Sequence, residues 1–302
     1  MPTIFITGGT SGLGRAAARK LIALNYTVVI TGRTEAKLDE AEKWIVKDND
    51  NKGKLYKIVL EMGDFESIKK AVDTFDSFHI SLDVLLHSAG CTQTSFQQVG
   101  DDNKKVERTV FENAICPLYL NRLLLPYIEK SNDPNRRIVI VTSMLHNPKI
   151  PGGSRTEETK IPNSVDLNDF IGSQDKWDSM KYYKISKLGN VWNSISLAET
   201  IPDIPVITFC PGFVPQTGLA RNSGFITRMM LTYVVKHMSF TTSEEDSSDY
   251  YVYHATSPDM NTLNGKYFEK KKVAEPSTDA LDDTKRKQYW EHANSIIDAL
   301  II

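Results

Sequence analysis

Thr3-Ile4-Phe5-Ile6-Thr7-Gly8-Gly9-Thr10-Ser11-Gly12-Leu13-Gly14 runs from five residues of β-strand character into a glycine-rich turn, and Arg15 to Leu24 continues as an alanine-rich helical pattern. Strand, glycine turn and helix in that order leave backbone N–H groups and the positive end of the helix dipole facing outward, a setting that suits a pyrophosphate. Gly12 and Gly14 carry no Cβ to block that approach. A glycine pattern alone is weak evidence, and its meaning depends on the chain around it.

That chain alternates. Thr27 to Thr31 reads as a second strand and Glu35 to Val46 as a helix with Leu38, Ala41, Trp44 and Ile45 on one stripe. Leu55 to Leu60 and Phe65 to Phe75 repeat the strand–helix pattern, and Leu82 to His87 adds a fourth strand. A helical stretch from Lys104 to Glu129 carries an expected bend at Pro117, and Arg137 to Thr142 is a fifth strand. Asn147 to Asn168, rich in Pro, Gly, Ser and charge, reads as an irregular insertion. A helix over Lys176 to Glu199, a strand over Pro205 to Cys210, a helix near Ser243 to Ala255, a last strand Lys266 to Glu269 and a helix over Thr284 to Leu300 complete the chain. Strands separated by helices imply parallel pairing with right-handed crossovers. The expectation is an α/β fold: a doubly wound, mostly parallel seven-stranded Rossmann sheet with helices on both faces. It forms a single domain over 1–302, with a substrate-loop insertion at about 144–175 and an apolar flap at about 213–240, whose Phe225 to Met238 segment either covers a substrate or packs on the core.

Composition narrows the function. With 40% hydrophobic and 25% charged residues and a formal charge of -2, the chain has no electrostatic footprint for nucleic acid or an anionic membrane, so a small-molecule partner is expected. Cys91, Cys116 and Cys210 are odd in number and far apart, and the histidines lack a metal-binding spacing, so neither a disulfide framework nor a metal is expected. There is no basic leader and no apolar run of membrane-spanning length, and the expected location is cytoplasmic.

Chemistry concentrates at Tyr182-Tyr183-Lys184-Ile185-Ser186-Lys187. Tyr183 and Lys187 share a helix face. An ammonium at ~4 Å in an effective dielectric of ~20 stabilises a phenolate by about 4 kcal/mol, enough to bring an acid of pKa ~10 toward neutrality. Tyr182 meets only Ser186. At the end of the second strand, where an NAD site would place a carboxylate for the ribose 2′-hydroxyl, the chain has Gly32-Arg33. An arginine pairs with a 2′-phosphate, so NADP(H) is favoured over NAD(H).

The spacing Thr-Gly-x-x-x-Gly-x-Gly over Thr7 to Gly14, followed by Tyr183-x-x-x-Lys187, resembles the short-chain dehydrogenase/reductase family. The resemblance implies a catalytic set of Asn113, Ser143, Tyr183 and Lys187, with Ser143 closing the fifth strand and Asn113 supporting a proton relay to the lysine. It also implies cofactor contacts at Gly8, Ser11, Gly12, Leu13, Gly14, Arg33, Glu61, Met62, Ser88, Ala89, Gly90, Tyr183, Lys187, Pro211, Gly212 and Val214. Asp64 is an alternative to Glu61 at the adenine. The long interval from Ser143 to Tyr183 and the stretch Cys210 to Arg221 look like the protochlorophyllide reductase and retinol dehydrogenase branch. Three departures stand out, the first being Glu61-Met62 where relatives have Asp-Leu. His87-Ser88-Ala89-Gly90 replaces Asn-Asn-Ala-Gly, with His87 read as structural, and Gln216 replaces a threonine that often bonds the carboxamide. The implied activity is NADPH-dependent reduction of a ketone or aldehyde, or oxidation of the alcohol, on a hydrophobic substrate. Reduction of a carbon–carbon double bond and a non-catalytic NADPH-binding sensor are the alternatives, and monomer and homo-oligomer are both left open.

Overall fold

Every residue of Thr3–Thr7 (β1) is buried, as a strand in the middle of a sheet covered on both faces must be. The computed structural model describes residues 1–47, 53–101, 104–150, 160–215 and 241–301. The other strands are β2 (Thr27–Gly32), β3 (Lys54–Val59), β4 (Val84–His87), β5 (Gln98–Val99), β6 (Val106–Glu107), β7 (Arg137–Val141), β8 (Val206–Cys210), β9 (Tyr267–Glu269) and β10 (Lys272–Val273). Eight of them form one sheet in the order β10-β9-β8-β7-β4-β1-β2-β3, and β5 pairs with β6 in a separate antiparallel ribbon. All neighbours in the large sheet are parallel except β10, which turns back on β9. The seven strands read from the sequence are therefore present, and a two-residue edge strand is added. Two residues carry no alternation, so the sequence offered no sign of it.

The helices are α1 (Gly12–Ala23), α2 (Glu35–Val46), α3 (Phe65–Ser77), α4 (Arg108–Val110), α5 (Cys116–Glu129), α6 (Leu167–Ile171), α7 (Ser179–Thr200), α8 (Glu244–Thr256) and α9 (Asp283–Leu300). Alternate residues of each strand feed two cores. Ile4, Ile6, Val28 and Ile30 meet α1, α2 and α8 on one face, while Phe5, Val29, Leu85 and Ile138 meet α3, α5, α7 and α9 on the other. In α2 the buried stripe is Leu38, Ala41 and Ile45. Trp44 instead lies partly exposed beneath the Arg15 and Arg19 guanidiniums, 4.3 and 5.0 Å from its ring centre.

The strand order reverses between β1 and β4: β2 and β3 extend to one side, and β7, β8 and β9 to the other. Ligands of such sheets bind outside the carboxyl ends of the strands at this switch point. Here Thr7 pairs with His87, and the Thr7 hydroxyl oxygen accepts the N–H groups of Ser88 and Ala89, both at 3.0 Å. The floor of the cleft is thus one hydrogen-bonded unit.

Two further elements place the site. Phe111–Ile115 is a π-helical turn between α4 and α5, just ahead of the expected bend. Pro117 has no N–H, so the Asn113 carbonyl loses the donor that a regular helix would aim at it. In α7 every residue from Lys181 to Ser194 is buried, because the helix is covered by the sheet, the π-helical turn, α6 and α9 on different sides.

The described part of the insertion is more ordered than its composition suggests. Asp166 and Asp169 close a capping box on α6, and Phe170 packs against Trp192 and Tyr289 at 5.3 and 4.7 Å between ring centres. The irregular reading of Asn147 to Asn168 therefore fails at its C-terminal end. The aromatic that anchors it finds its partners on distant helices, which local periodicity cannot register. The expected flap, apart from Phe213 to Pro215, lies outside the described residues, as does Gln216.

Candidate active site

The glycine turn forms one wall of the cleft. Ser11 starts α1 without a side-chain hydrogen bond to the helix, and the first turn holds no acidic residue. By contrast α2, α3, α7, α8 and α9 are each capped by their own side chain, from Thr34, Asp64, Asp178, Ser243 and Asp282. The leading N–H groups of α1 thus have no side-chain acceptor from their own N-cap, the condition for binding an anion.

Gly8 and Gly12 have positive φ of 72° and 51°. A Cβ on Gly14 would stand 2.7 Å from the Gly8 carbonyl oxygen, whereas one on Gly12 would meet nothing within 4 Å. Gly14 is required for packing, and Gly12 leaves a cradle that a side chain would fill. A pyrophosphate fits both features, and Leu13 lies buried behind them.

The other end of the cleft lies at β2 and β3. A Cβ on Gly32 would come within 2.3 Å of the Thr10 methyl, so the exposed Arg33 is held next to the glycine turn. Leu60 N–H reaches the Gly32 carbonyl at 2.9 Å, bringing Glu61 and Met62 alongside. The Glu61 N–H donates to the Ser67 hydroxyl at 2.9 Å. The Asp64 carboxylate is engaged as the cap of α3, accepting from Glu66 N–H at 2.9 Å.

Beyond the glycine turn, Ser88, Ala89 and Gly90 follow β4, while Pro211 and Gly212, the latter with φ of 87°, turn the chain after β8 and Val214 buries its side chain. The Ser247 hydroxyl holds the Pro211 carbonyl at 2.9 Å.

Four side chains converge beyond that turn. Lys187 Nζ lies 5.4 Å from the centre of the Tyr183 ring and donates to the Val141 carbonyl at 3.3 Å. The Ser143 hydroxyl faces the Tyr183 phenol and favours its ionised form. Asn113 Nδ2 donates to the Cys91 carbonyl at 2.9 Å and the Ser186 hydroxyl at 3.0 Å, and its Oδ1 accepts Cys91 N–H at 2.9 Å. Asn113 therefore ties the loop after β4 to the helix bearing Tyr183. A Cβ on Gly90 would stand 3.5 Å from Lys187 Nζ and 3.8 Å from Asn113 Oδ1, which places the loop after β4 directly against the group. Tyr182 turns away, its hydroxyl packed against Gly172.

Electrostatics modify the sequence reading. Burial raises the Tyr183 phenol well above its ordinary value, and the Ser143 hydroxyl is what pulls it down. Burial lowers Lys187 to about 8. The expected pull of Lys187 on the phenol is thus opposed by burial, which acts on both members of the pair. His87 is neutral and structural: burial lowers it to about 4, and Nε2 bonds Asn121 Oδ1 at 2.8 Å.

Three residues of the site carried no signal in the sequence. The Tyr251 hydroxyl, from α8, accepts from the Ser88 hydroxyl at 3.4 Å on the cleft floor. The Cys91 thiol donates to Glu112 at 2.9 Å. His146 is bound to the Ser143 carbonyl at 2.7 Å. Each contact depends on chain reversal or on a neighbouring element. Among the described residues no group of His, Cys, Asp and Glu is placed to hold a metal ion, and no helix is long and apolar enough to cross a membrane.

Comparison with known proteins follows the same lines. The short chain dehydrogenase family model matches residues 2–155. A protochlorophyllide reductase from Avena sativa is 26% identical over 318 residues, covering 97% of this chain and 99% of its own. Human retinol dehydrogenase 14 is 25% identical over 313 residues, with 99% and 87% covered. Among solved structures, a short-chain type dehydrogenase/reductase from Mycobacterium ulcerans superposes with a TM-score of 0.62 at 17% identity, over 89% of this chain and 87% of that one.

Proposed function

The chain belongs to the short-chain dehydrogenase family, and on that premise we propose that it is an NADPH-dependent reductase of ketones or aldehydes, able to run in reverse as an alcohol dehydrogenase. The observation that carries this reading is the pairing of the Ser143 and Tyr183 hydroxyls beside the buried Lys187 amine, next to a glycine cradle. Gly8, Ser11, Gly12, Leu13 and Gly14 would hold the pyrophosphate and Arg33 the 2′-phosphate. Glu61 and Met62 would border the adenine. Ser88 to Gly90, Tyr183, Lys187, Pro211, Gly212 and Val214 would border the nicotinamide ribose and ring. NADP(H), when bound, supplies or accepts the hydride.

The chain's own residues handle the oxygen and its proton. Ser143 and Tyr183 hold the carbonyl oxygen between two hydroxyls, which favours the charge that develops there. The Tyr183 proton then passes to the alkoxide. The raised phenol value suits this direction, because it keeps Tyr183 protonated at neutrality and an alkoxide is still the stronger base. Lys187 opposes the charge left on the phenolate, and Asn113 keeps the helix and the loop after β4 in register. The half-exposed Phe213, next to the turn at Pro211 and Gly212, supports an apolar substrate.

A panel of ketones, retinal-like aldehydes and quinones, followed through NADPH absorbance, tests the proposal. Turnover that disappears in Tyr183→Phe while NADPH still binds is the expected result. Tight NADPH binding with no oxidation by any carbonyl would reject it in favour of a cofactor-binding sensor. The near full-length likeness to a protochlorophyllide reductase supports a second reading, in which the same proton donor serves reduction of a carbon–carbon double bond. Light-dependent loss of a pigment's absorbance would distinguish it.

A further inference from the structure

We infer that His146 is a positioning residue for Ser143, and that it references the serine to the same C-terminal segment that holds the helix carrying Tyr183. The inference rests on the catalytic reading above and goes beyond it in assigning a residue outside the catalytic set.

Ser143 lies two residues beyond the end of β7 and is immediately succeeded by a 3₁₀ turn, Met144–His146. Its hydroxyl oxygen accepts Leu145 N–H at 3.2 Å, which leaves the hydroxyl proton for Tyr183. That orientation exists only while the turn is closed. His146 closes it twice, because its backbone N–H reaches the Ser143 carbonyl at 3.1 Å and its ring Nδ1 reaches the same oxygen at 2.7 Å. The opposite ring nitrogen, Nε2, accepts Ser277 N–H at 3.1 Å. A backbone amide can only donate, so Nε2 carries no proton and Nδ1–H is the donor to Ser143. The ring is 1% exposed and meets the Tyr267 ring edge-on at 5.1 Å. Its nitrogens and its faces are therefore all constrained, and it has one orientation.

The anchor is itself fixed. Two residues beyond Ser277, the Asp279 carboxylate accepts Val165 N–H at 2.7 Å and Lys285 Nζ at 2.6 Å. The Asp279 carbonyl accepts the indole N–H of Trp192 at 3.0 Å, and Trp192 lies on α7 with Tyr183. The segment Ser277 to Asp279 thus holds Ser143 through His146 and holds the tyrosine helix through Trp192. It also holds the end of the insertion through Val165. The distance between the two catalytic hydroxyls is set by one strap that binds both sides, and His146 is the link on the serine side.

The test compares His146→Phe, which keeps ring volume and loses both ring bonds, with His146→Asn, whose amide N–H sits at the δ position and still reaches the Ser143 carbonyl. In His146→Phe we expect kcat to fall by about 10- to 100-fold, the effect of a misplaced catalytic group, with NADPH affinity within twofold of the parent. Its crystal structure should show the Ser143 hydroxyl out of reach of Tyr183. His146→Asn should recover most of the loss. Unchanged kcat in the Phe variant, or a Ser143 still seated against Tyr183, would overturn the inference. If the Phe variant fails to fold, ¹⁵N spectra of the parent's histidine rings decide: a protonated Nε2 at His146 rules out the assignment, and a protonated Nδ1 upholds it. Tyr183→Phe is the control. Activity retained there would remove the catalytic reading itself, whereas an inactive Tyr183→Phe beside an unimpaired His146→Phe would remove this inference alone.

Discussion

Lys187 and Tyr183 lie one turn apart on α7 with the amine 5.4 Å from the ring centre, and both side chains are enclosed, at 4% and 7% exposure. The pair is therefore a desolvated acid and a desolvated base on one helix face. Burial raises the phenol and lowers the amine, so each group is held toward its neutral form.

That arrangement costs stability. The folded value of Lys187, about 8, lies below its ordinary 10.5. Between those limits the unfolded chain binds more protons, so stability rises with pH across that window, and the penalty is fully present below pH 8. Lys187→Met should therefore be more stable than the parent at pH 7, by on the order of 3 kcal/mol before losses from repacking. It should also be catalytically impaired. Urea denaturation at pH 7 and at pH 10 measures this, and a variant less stable at pH 7 would show that the lysine is better compensated than its surroundings indicate.

The two glycines of the cofactor turn should separate by phenotype. Gly14→Ala forces a methyl into the Gly8 carbonyl, and both stability and NADPH affinity should drop. Gly12→Ala meets no protein atom, but its positive φ costs about 1–2 kcal/mol and the methyl points into the cleft. Its NADPH affinity should fall well beyond what that stability loss predicts. Thermal melts with and without NADPH compare the two, and a Gly12→Ala protein that binds NADPH normally would displace the pyrophosphate from this turn.

Arg33 stands beside the glycine turn at the end of β2, where a 2′-phosphate is proposed. Arg33→Ala should weaken NADPH binding by about tenfold or more, as loss of a charge-assisted contact implies, and leave NADH binding nearly unchanged. Cofactor titrations followed by fluorescence read the ratio, and an unaltered preference would assign the phosphate to another basic group.

Acid should unfold the protein cooperatively. His87, His146 and His254 are each lowered by burial from 6.5 to about 4. Below pH 6.5 the unfolded chain takes up protons that the folded chain refuses until about pH 4, so stability present at neutrality is lost as pH falls through that window. Each histidine contributes a slope approaching 1.4 kcal/mol per pH unit. The urea midpoint should drop steeply from pH 6.5 to 4.5, and a flat profile would mean that these rings accept protons while folded.

How much of this was legible in the chain depends on the range of the interaction concerned. Strand and helix alternation and the glycine turn are written in neighbouring residues, so they could be read directly and lie within a few residues of their observed positions. The same holds for the choice of Tyr183 over Tyr182, which follows from a four-residue helical spacing. The anchoring of Phe170 by Trp192 and Tyr289, the edge strand β10 and the contact of Tyr251 with Ser88 could not be read, because each joins segments with no shared periodicity.

The sequence by itself determined the doubly wound sheet, the turn at its switch point and the shared helix face of Tyr183 and Lys187, since local backbone preference and pattern suffice for these, while Asn113 and Ser143 were implied by the family resemblance. Only the tertiary structure decided their electrical state and their relative reach. The displacement of Tyr183 and Lys187 toward neutrality comes from surroundings contributed by several distant elements. The pairing of Ser143 with Tyr183 depends on His146, Ser277, Asp279 and Trp192, four residues that chain folding alone brings to one place.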